Sequence, residues 1–285
     1  MVCSHYGGCY PRLALPRSRH KPRGLPVRIT IAAVAISAAI LGSSPAWAQS
    51  SSTGPTILSA PSPIIVNTNV PPYMEAWLGF GATHSYFGTW VGGVVALNPQ
   101  HNVWDSGFVL RGEATVGRYD VDNNPFQDSV LTHGASWMFG YRQRIGDTGL
   151  LTGYIGANYE NHDNDLKTEQ IRGLEVGFRA LVEYYTRITP SWDFYGQASY
   201  STAFDVAFLF ARSGFQLSNT IWLGPEAAYY RNVSDYEENR LGGFIRFEQA
   251  FFGSGVTLSG GWVNALRKQD DDGWYAAVNI DFQFR

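Results

Sequence analysis

The sequence holds only two cysteines, Cys3 and Cys9, both at its extreme N-terminus. From residue 10 onward there is none, which excludes a disulfide framework and a thiolate metal site there. Charge is scarce as well. Charged residues make up 16% of the chain, against roughly a quarter in soluble domains. Long apolar runs are also lacking. The one sustained run, Ile29 to Leu41, is shorter than the ~20 residues a spanning helix needs. With a mean hydropathy of −0.16, the chain is too polar for a bundle of membrane helices. Nucleophile-elbow, glycine-rich phosphate-loop and metalloprotease-helix motifs are missing too.

What is present is glycine, 31 residues, and aromatic side chains at 15% of the chain. The first fifty residues stand apart. Arg12, Arg17, Arg19, Lys21, Arg23 and Arg28 come without an acid, the apolar run follows, and Ala46-Trp47-Ala48 then gives an A-x-A pattern. This is the layout of a secretory signal peptide over 1–48, cleaved between Ala48 and Gln49. Cleavage would leave 15 of the 21 basic residues against all 24 acidic ones, a net charge of about −9. An acidic chain of this kind is a poor partner for nucleic acid. Residues 49–72, rich in Ser, Thr and Pro, read as a flexible periplasmic lead-in.

From residue 73 to 285 the pattern has period two. Trp274, Ala276, Val278, Ile280, Phe282 and Phe284 alternate with Tyr275, Ala277, Asn279, Asp281, Gln283 and Arg285. Successive side chains of a strand point to opposite faces, so one face is apolar and the other mostly polar. The same alternation recurs in 107–119, 172–187, 192–202 and 240–249. The predicted strands are 74–83, 87–98, 107–119, 130–145, 150–160, 172–187, 192–202, 206–217, 220–231, 240–249, 255–265 and 274–285. Short turns such as Gly146-Asp147-Thr148-Gly149 largely alternate with longer polar segments at 120–129, 161–171, 232–239 and 266–273. Long strands, charges in the middle of polar faces and nearly unbroken apolar faces point to an all-β, antiparallel, up-and-down transmembrane β-barrel of about twelve strands. A soluble periplasmic β-protein is the alternative. Trp77, Trp192, Trp222 and Trp274 suit the aromatic belts of such a barrel.

The charges that fall on the predicted lumen face are Arg111, Glu113, Glu175, Arg179, Glu183, Glu226, Arg246 and Glu248. Their signs are mixed. Two readings follow: they pair across the lumen and fill it, or they line a polar channel for hydroxyl-rich sugars. Lumen aromatics Trp77, Tyr185, Trp222 and Phe244 could stack on sugar rings or serve as packing. A catalytic reading is weak. His133 and Ser136 are three apart on one predicted strand, hence on opposite faces. His84 and Ser85 are neighbours in a turn. His162, Asp163 and Asp165, the run Asp270 to Asp272, and the pair Asp120 and Asp122 make loose acidic groups that read as solvated loops. Asn232-Val233-Ser234 matches a glycosylation acceptor by spelling only. No catalytic residue, metal site or cofactor is assigned.

Several segments in close order carry a family resemblance. They are Gly92-Gly93-Val94-Val95-Ala96-Leu97-Asn98, Gly107-Phe108-Val109-Leu110-Arg111, Gly117-Arg118-Tyr119 and Gly140-Tyr141-Arg142. Further on come Arg172-Gly173-Leu174-Glu175-Val176-Gly177-Phe178, Ser199-Tyr200-Ser201-Thr202-Ala203-Phe204 and Leu223-Gly224-Pro225-Glu226. Together the series resembles the cellulose biosynthesis protein BcsS family of alphaproteobacteria. The resemblance implies an outer-membrane or periplasm-exposed accessory protein of bacterial cellulose production, and the leading reading is a non-enzymatic barrel that assists cellulose biosynthesis or secretion at the outer membrane. Its expected partners are outer-membrane lipid, the glucan chain and other subunits of the cellulose-synthase complex. A porin-like oligosaccharide channel and a lipid-modifying outer-membrane enzyme are the rival readings.

Overall fold

A computed structural model describes residues 71–123, 126–163, 171–233, 236–251, 254–267 and 272–285. The expected signal peptide and most of the lead-in lie outside them, as do Asp165, Ser234, Asp270 and Asp271. The described chain is a closed antiparallel barrel of twelve strands. They are β1 (Met74–Thr83), β2 (Tyr86–Ala96), β3 (Gly107–Asn123), β4 (Phe126–Ile145), β5 (Gly149–Asp163), β6 (Gly173–Thr189), β7 (Trp192–Ser201), β8 (Val206–Ser218), β9 (Ile221–Arg231), β10 (Glu237–Phe251), β11 (Ser254–Arg267) and β12 (Gly273–Phe284). Each strand pairs with the next, and β12 returns to β1 over ten consecutive residues from Met74↔Phe284 to Thr83↔Tyr275. Closure leaves no unpaired sheet edge.

Period two sets the two faces. The outer face carries Trp137, Ile155, Leu174, Val176 and Phe178, all well over half exposed. The few polar groups there are satisfied locally. Thr89 donates to the carbonyl of Gly79 at 2.8 Å, and Ser213 accepts from Trp192 Nε1 at 2.6 Å. The inner face carries nearly all the buried charge.

Three features differ from the sequence reading. The hairpin expected to open into a loop at 120–129 stays paired, with Asp120↔Ser129 and Asn123↔Phe126, so β3 and β4 run past it. The connection 97–106 is long, yet it lies at the end of the barrel where the other turns are short. It folds inward: Val103 is fully buried, its N–H donates to Pro72 O at 2.9 Å, and Trp104 Nε1 donates to Glu75 Oε1 at 2.6 Å. Finally, of the two places the sequence offered Trp77 and Trp222, belt and lumen, the belt is wrong: both are buried inside, whereas Trp192 and Trp274 do face outward. Parity explains the difference. Trp77 shares its face with Glu75, and Trp222 shares its face with Glu226.

Interior glycines make room for the large rings. A Cβ at Gly79 would meet the indole of Trp90, whose Nε1 donates to Asn279 Oδ1 at 2.9 Å. On the outer face, Gly153 has nothing within 4 Å of such an atom. Gly79→Val is therefore expected to cost about 1–3 kcal/mol through overpacking. Gly153→Val should be neutral, since a β-branched residue suits a strand. Urea midpoints of the two variants, folded in detergent, check this.

Candidate functional site

The lumen holds the chemistry-bearing residues. Alternation sends Arg111 and Glu113 of β3 inward along with Glu183 and Arg179 of β6. Arg111 Nη1 meets Glu183 Oε1 at 2.6 Å, and its Nη2 and Nε hold Glu113 Oε1. Arg179 Nη1 reaches the other oxygen of Glu113 at 2.9 Å. Tyr195 OH donates to Glu183 at 2.8 Å, and Ser136 Oγ donates to Glu113 at 3.4 Å. The guanidinium of Arg111 lies over the rings of Trp77, 4.6 Å from the centroid, and Tyr154, at 5.5 Å.

A second group sits nearer the chain termini. Arg246, about 1% exposed, contacts Asp193 Oδ2 at 2.6 Å and Glu248 Oε1 at 3.5 Å. Trp222 lies between two cations, with Arg246 5.0 Å and Arg187 5.5 Å from its ring. Glu226 is held by the hydroxyls of Tyr275 and Ser259, both at 3.0 Å. Toward the opposite end, Arg240 pairs with Glu238, which also accepts from Tyr236 OH at 2.5 Å.

Two residues reach loop backbone instead of another charge. Arg142 donates to the carbonyl of Val103, to Thr152 at 2.8 Å and to Tyr154 at 3.3 Å, and so ties the inward-folded loop to the wall. Glu175 accepts from Phe204 N at 2.8 Å. Arg212 is different. It is buried with no hydrogen-bond partner among the described residues, and its guanidinium faces the rings of Phe244 at 5.2 Å and of Tyr195 and Phe210 at 5.7 Å.

A pair of unit charges 4 Å apart gains about 4 kcal/mol at an effective dielectric of 20. A buried charge without a partner costs several kcal/mol. That balance explains why most of these cations sit against carboxylates or aromatic faces. Two cavities among the described residues are small. One of about 40 Å³ is lined by Glu75, Arg111, Glu183 and Asp281, among others. Another of about 70 Å³ lies toward the far end, beside Ser136, Asn158 and Tyr230. Each has room for a few waters.

The eight charges and four aromatics singled out from the sequence all point inward. The structure brings Arg111, Glu113, Arg179 and Glu183 into one network, and Arg246 and Glu248 with Trp222 into another. Tyr185 and Phe244 are buried among them. Sequence reasoning left Glu75, Arg142, Asp193, Arg212, Glu238 and Arg240 out of the lumen set, and put Asp281 on the polar face of the last strand without singling it out. Parity was the available signal for three of them: Glu75 shares the face of Trp77, and Glu238 and Arg240 share the face of Phe244 and Arg246. His133 packs on Tyr159 outside while Ser136 bonds Glu113 inside, so the two do not meet. Among the described residues no cluster of three His, Cys, Asp or Glu could hold a metal ion.

Several solved structures are similar to this chain at very low identity. The KdgM porin in complex with disordered oligogalacturonate is 9% identical, covering 74% of this chain and 99% of that one, with a TM-score of 0.48. LpxR from Salmonella typhimurium is 10% identical over 74% and 100%, at 0.45. The translocator domain of the autotransporter NalP from Neisseria meningitidis is 11% identical over 76% and 90%, at 0.42. At such distances no activity passes from one barrel to another. No curated protein matches the chain. The model of the cellulose biosynthesis protein BcsS family matches residues 76–284, nearly the whole barrel, and the chain belongs to that family.

Proposed function

We propose that this protein is a filled outer-membrane barrel that serves cellulose production as a membrane-seated component of the export machinery, not as a conduit and not as an enzyme. The observation that carries this reading is the lumen network of Arg111, Glu113, Arg179 and Glu183, which links β3 to β6 inside the barrel. An extended glucan needs a continuous passage wider than a sugar ring, and cavities of about 40 and 70 Å³ favour a plug. The location rests on the outer face. Soluble monomers rarely expose apolar patches beyond a few hundred Å², and a closed sheet is one of two structures that satisfy their backbone in lipid. The family supplies the pathway.

The test has two arms. Purified protein in planar bilayers is expected to show no steady conductance, and deletion of its gene is expected to lower or disorganise extracellular cellulose. A stable open channel would overturn the filled-barrel reading. Unchanged cellulose output and architecture would overturn the role.

A further inference from the structure

The connection between β7 and β8 folds into the end of the barrel opposite the termini. Ala203 and Phe204 are buried, and Phe204 and Asp205 hold φ of 53° and 50°. That left-handed region is costly for residues with a Cβ, and such strain persists only where surrounding contacts impose it. Here they do. Phe204 N donates to Glu175 Oε2 and Val233 N donates to Phe204 O, both at 2.8 Å. Thr202 exchanges two 2.9 Å hydrogen bonds with Phe178. The Phe204 ring stands edge-on to His162, 4.8 Å between centroids, and His162 is itself bonded to Tyr119 OH at 3.0 Å and Glu160 at 2.9 Å. Gly177 permits the close fit, since a Cβ there would collide with Thr202 Oγ1 and lie 2.6 Å from Ala203 N.

Beneath this turn lies the 70 Å³ chamber, and Ser201 and Val206, the residues on either side of the turn, both line it. Its other walls include Ser136, Asn158, Phe208 and Tyr230. Ser201 Oγ accepts from Asn158 Nδ2 at 2.9 Å and from Ala203 N at 3.1 Å, so the turn itself satisfies the chamber's polar groups. Hydroxyl and amide groups beside aromatic faces suit a neutral ligand that is polar at its rim and apolar on its ring faces. An anion would meet Glu113 and Glu160, the one cation on the wall, Arg179, being paired with Glu113 already, and a hydrocarbon would leave the polar groups unpaired. We propose that the chamber, which holds only a few waters while closed, binds the terminal sugar unit of a neutral glucan once the Phe204 turn, acting as a stopper, swings outward to enlarge and open it. A sugar hydroxyl then takes over the hydrogen bond that Ser201 loses from Ala203. The inference rests on the cellulose role given above.

Cellotetraose titrated by calorimetry into the folded, detergent-solubilised barrel tests it. Phe204→Gly removes the ring and keeps the left-handed backbone. Gly177→Ala pushes the turn outward without touching the chamber. Both should bind about tenfold tighter than wild type, because the binding-competent population rises. Asn158→Leu in the Phe204→Gly background should abolish the gain. Equal or absent binding in both opened variants, each shown folded by its heat-dependent gel shift, overturns the proposal, as does binding that survives Asn158→Leu. Because the assay uses purified protein, its failure is distinguishable from a gene deletion that leaves cellulose unchanged.

Discussion

Arg111→Ala is expected to destabilise the folded barrel by about 3–5 kcal/mol, the cost of breaking a buried ion pair from one side. Arg111 is 2% exposed and touches two carboxylates on different strands. Its removal strands Glu183 with only the Tyr195 hydroxyl, and leaves Glu113 to Arg179 and Ser136. Arg111→Lys should recover only part of the loss, because one ammonium cannot replace a planar fork that holds both partners. Arg111→Met combined with Glu183→Gln should cost less than Arg111→Ala alone, since Glu113 keeps Arg179 and no carboxylate is left without a cation. Arg179→Ala should also cost less, because Glu113 keeps Arg111. Unfolding midpoints in urea, read by the heat-dependent gel shift, rank the four variants. An Arg111→Ala midpoint equal to wild type would mean that water already reaches this network.

The second large effect is on the outer face. Ile155 and Leu174 are both apolar, both outward and almost equally exposed, at 64% and 63%. They differ in depth. Ile155 lies midway along β5, whereas Leu174 is the second residue of β6, beside Asn161 near the strand's far end. In lipid, Ile155→Arg should cost about 2–4 kcal/mol and Leu174→Arg about 0–1. In water the two substitutions would be equivalent. Folding into phospholipid vesicles, followed by urea titration, measures the difference, and equal costs would remove the bilayer from around the barrel.

The architecture was largely legible because alternation is a local property. Segments such as 274–285 and 174–184 declare their two faces within a few residues, and twelve of them in series specify the barrel. The errors came where a residue type has two suitable homes. Trp77 and Trp222 carry rings that suit a lipid–water interface equally well, and only their parity with Glu75 and Glu226 places them inside. The candidate site was legible as a set of inward charges but not as a network. Which charge meets which across the lumen depends on the stagger and radius of the closed sheet. No local pattern announces that Arg111 of β3 will lie 2.6 Å from Glu183 of β6, or that the 97–106 connection will turn inward onto Arg142.

The pairing of β1 with β12 has a consequence for biogenesis. Partners from Met74↔Phe284 to Thr83↔Tyr275 are separated by about two hundred residues of chain, so the seam can form only after every intervening hairpin is in place. Contacts this distant in sequence form late and slowly. Until then β1 offers a row of unsatisfied amides to any neighbouring polypeptide, so the unfinished barrel is open to strand addition at that edge.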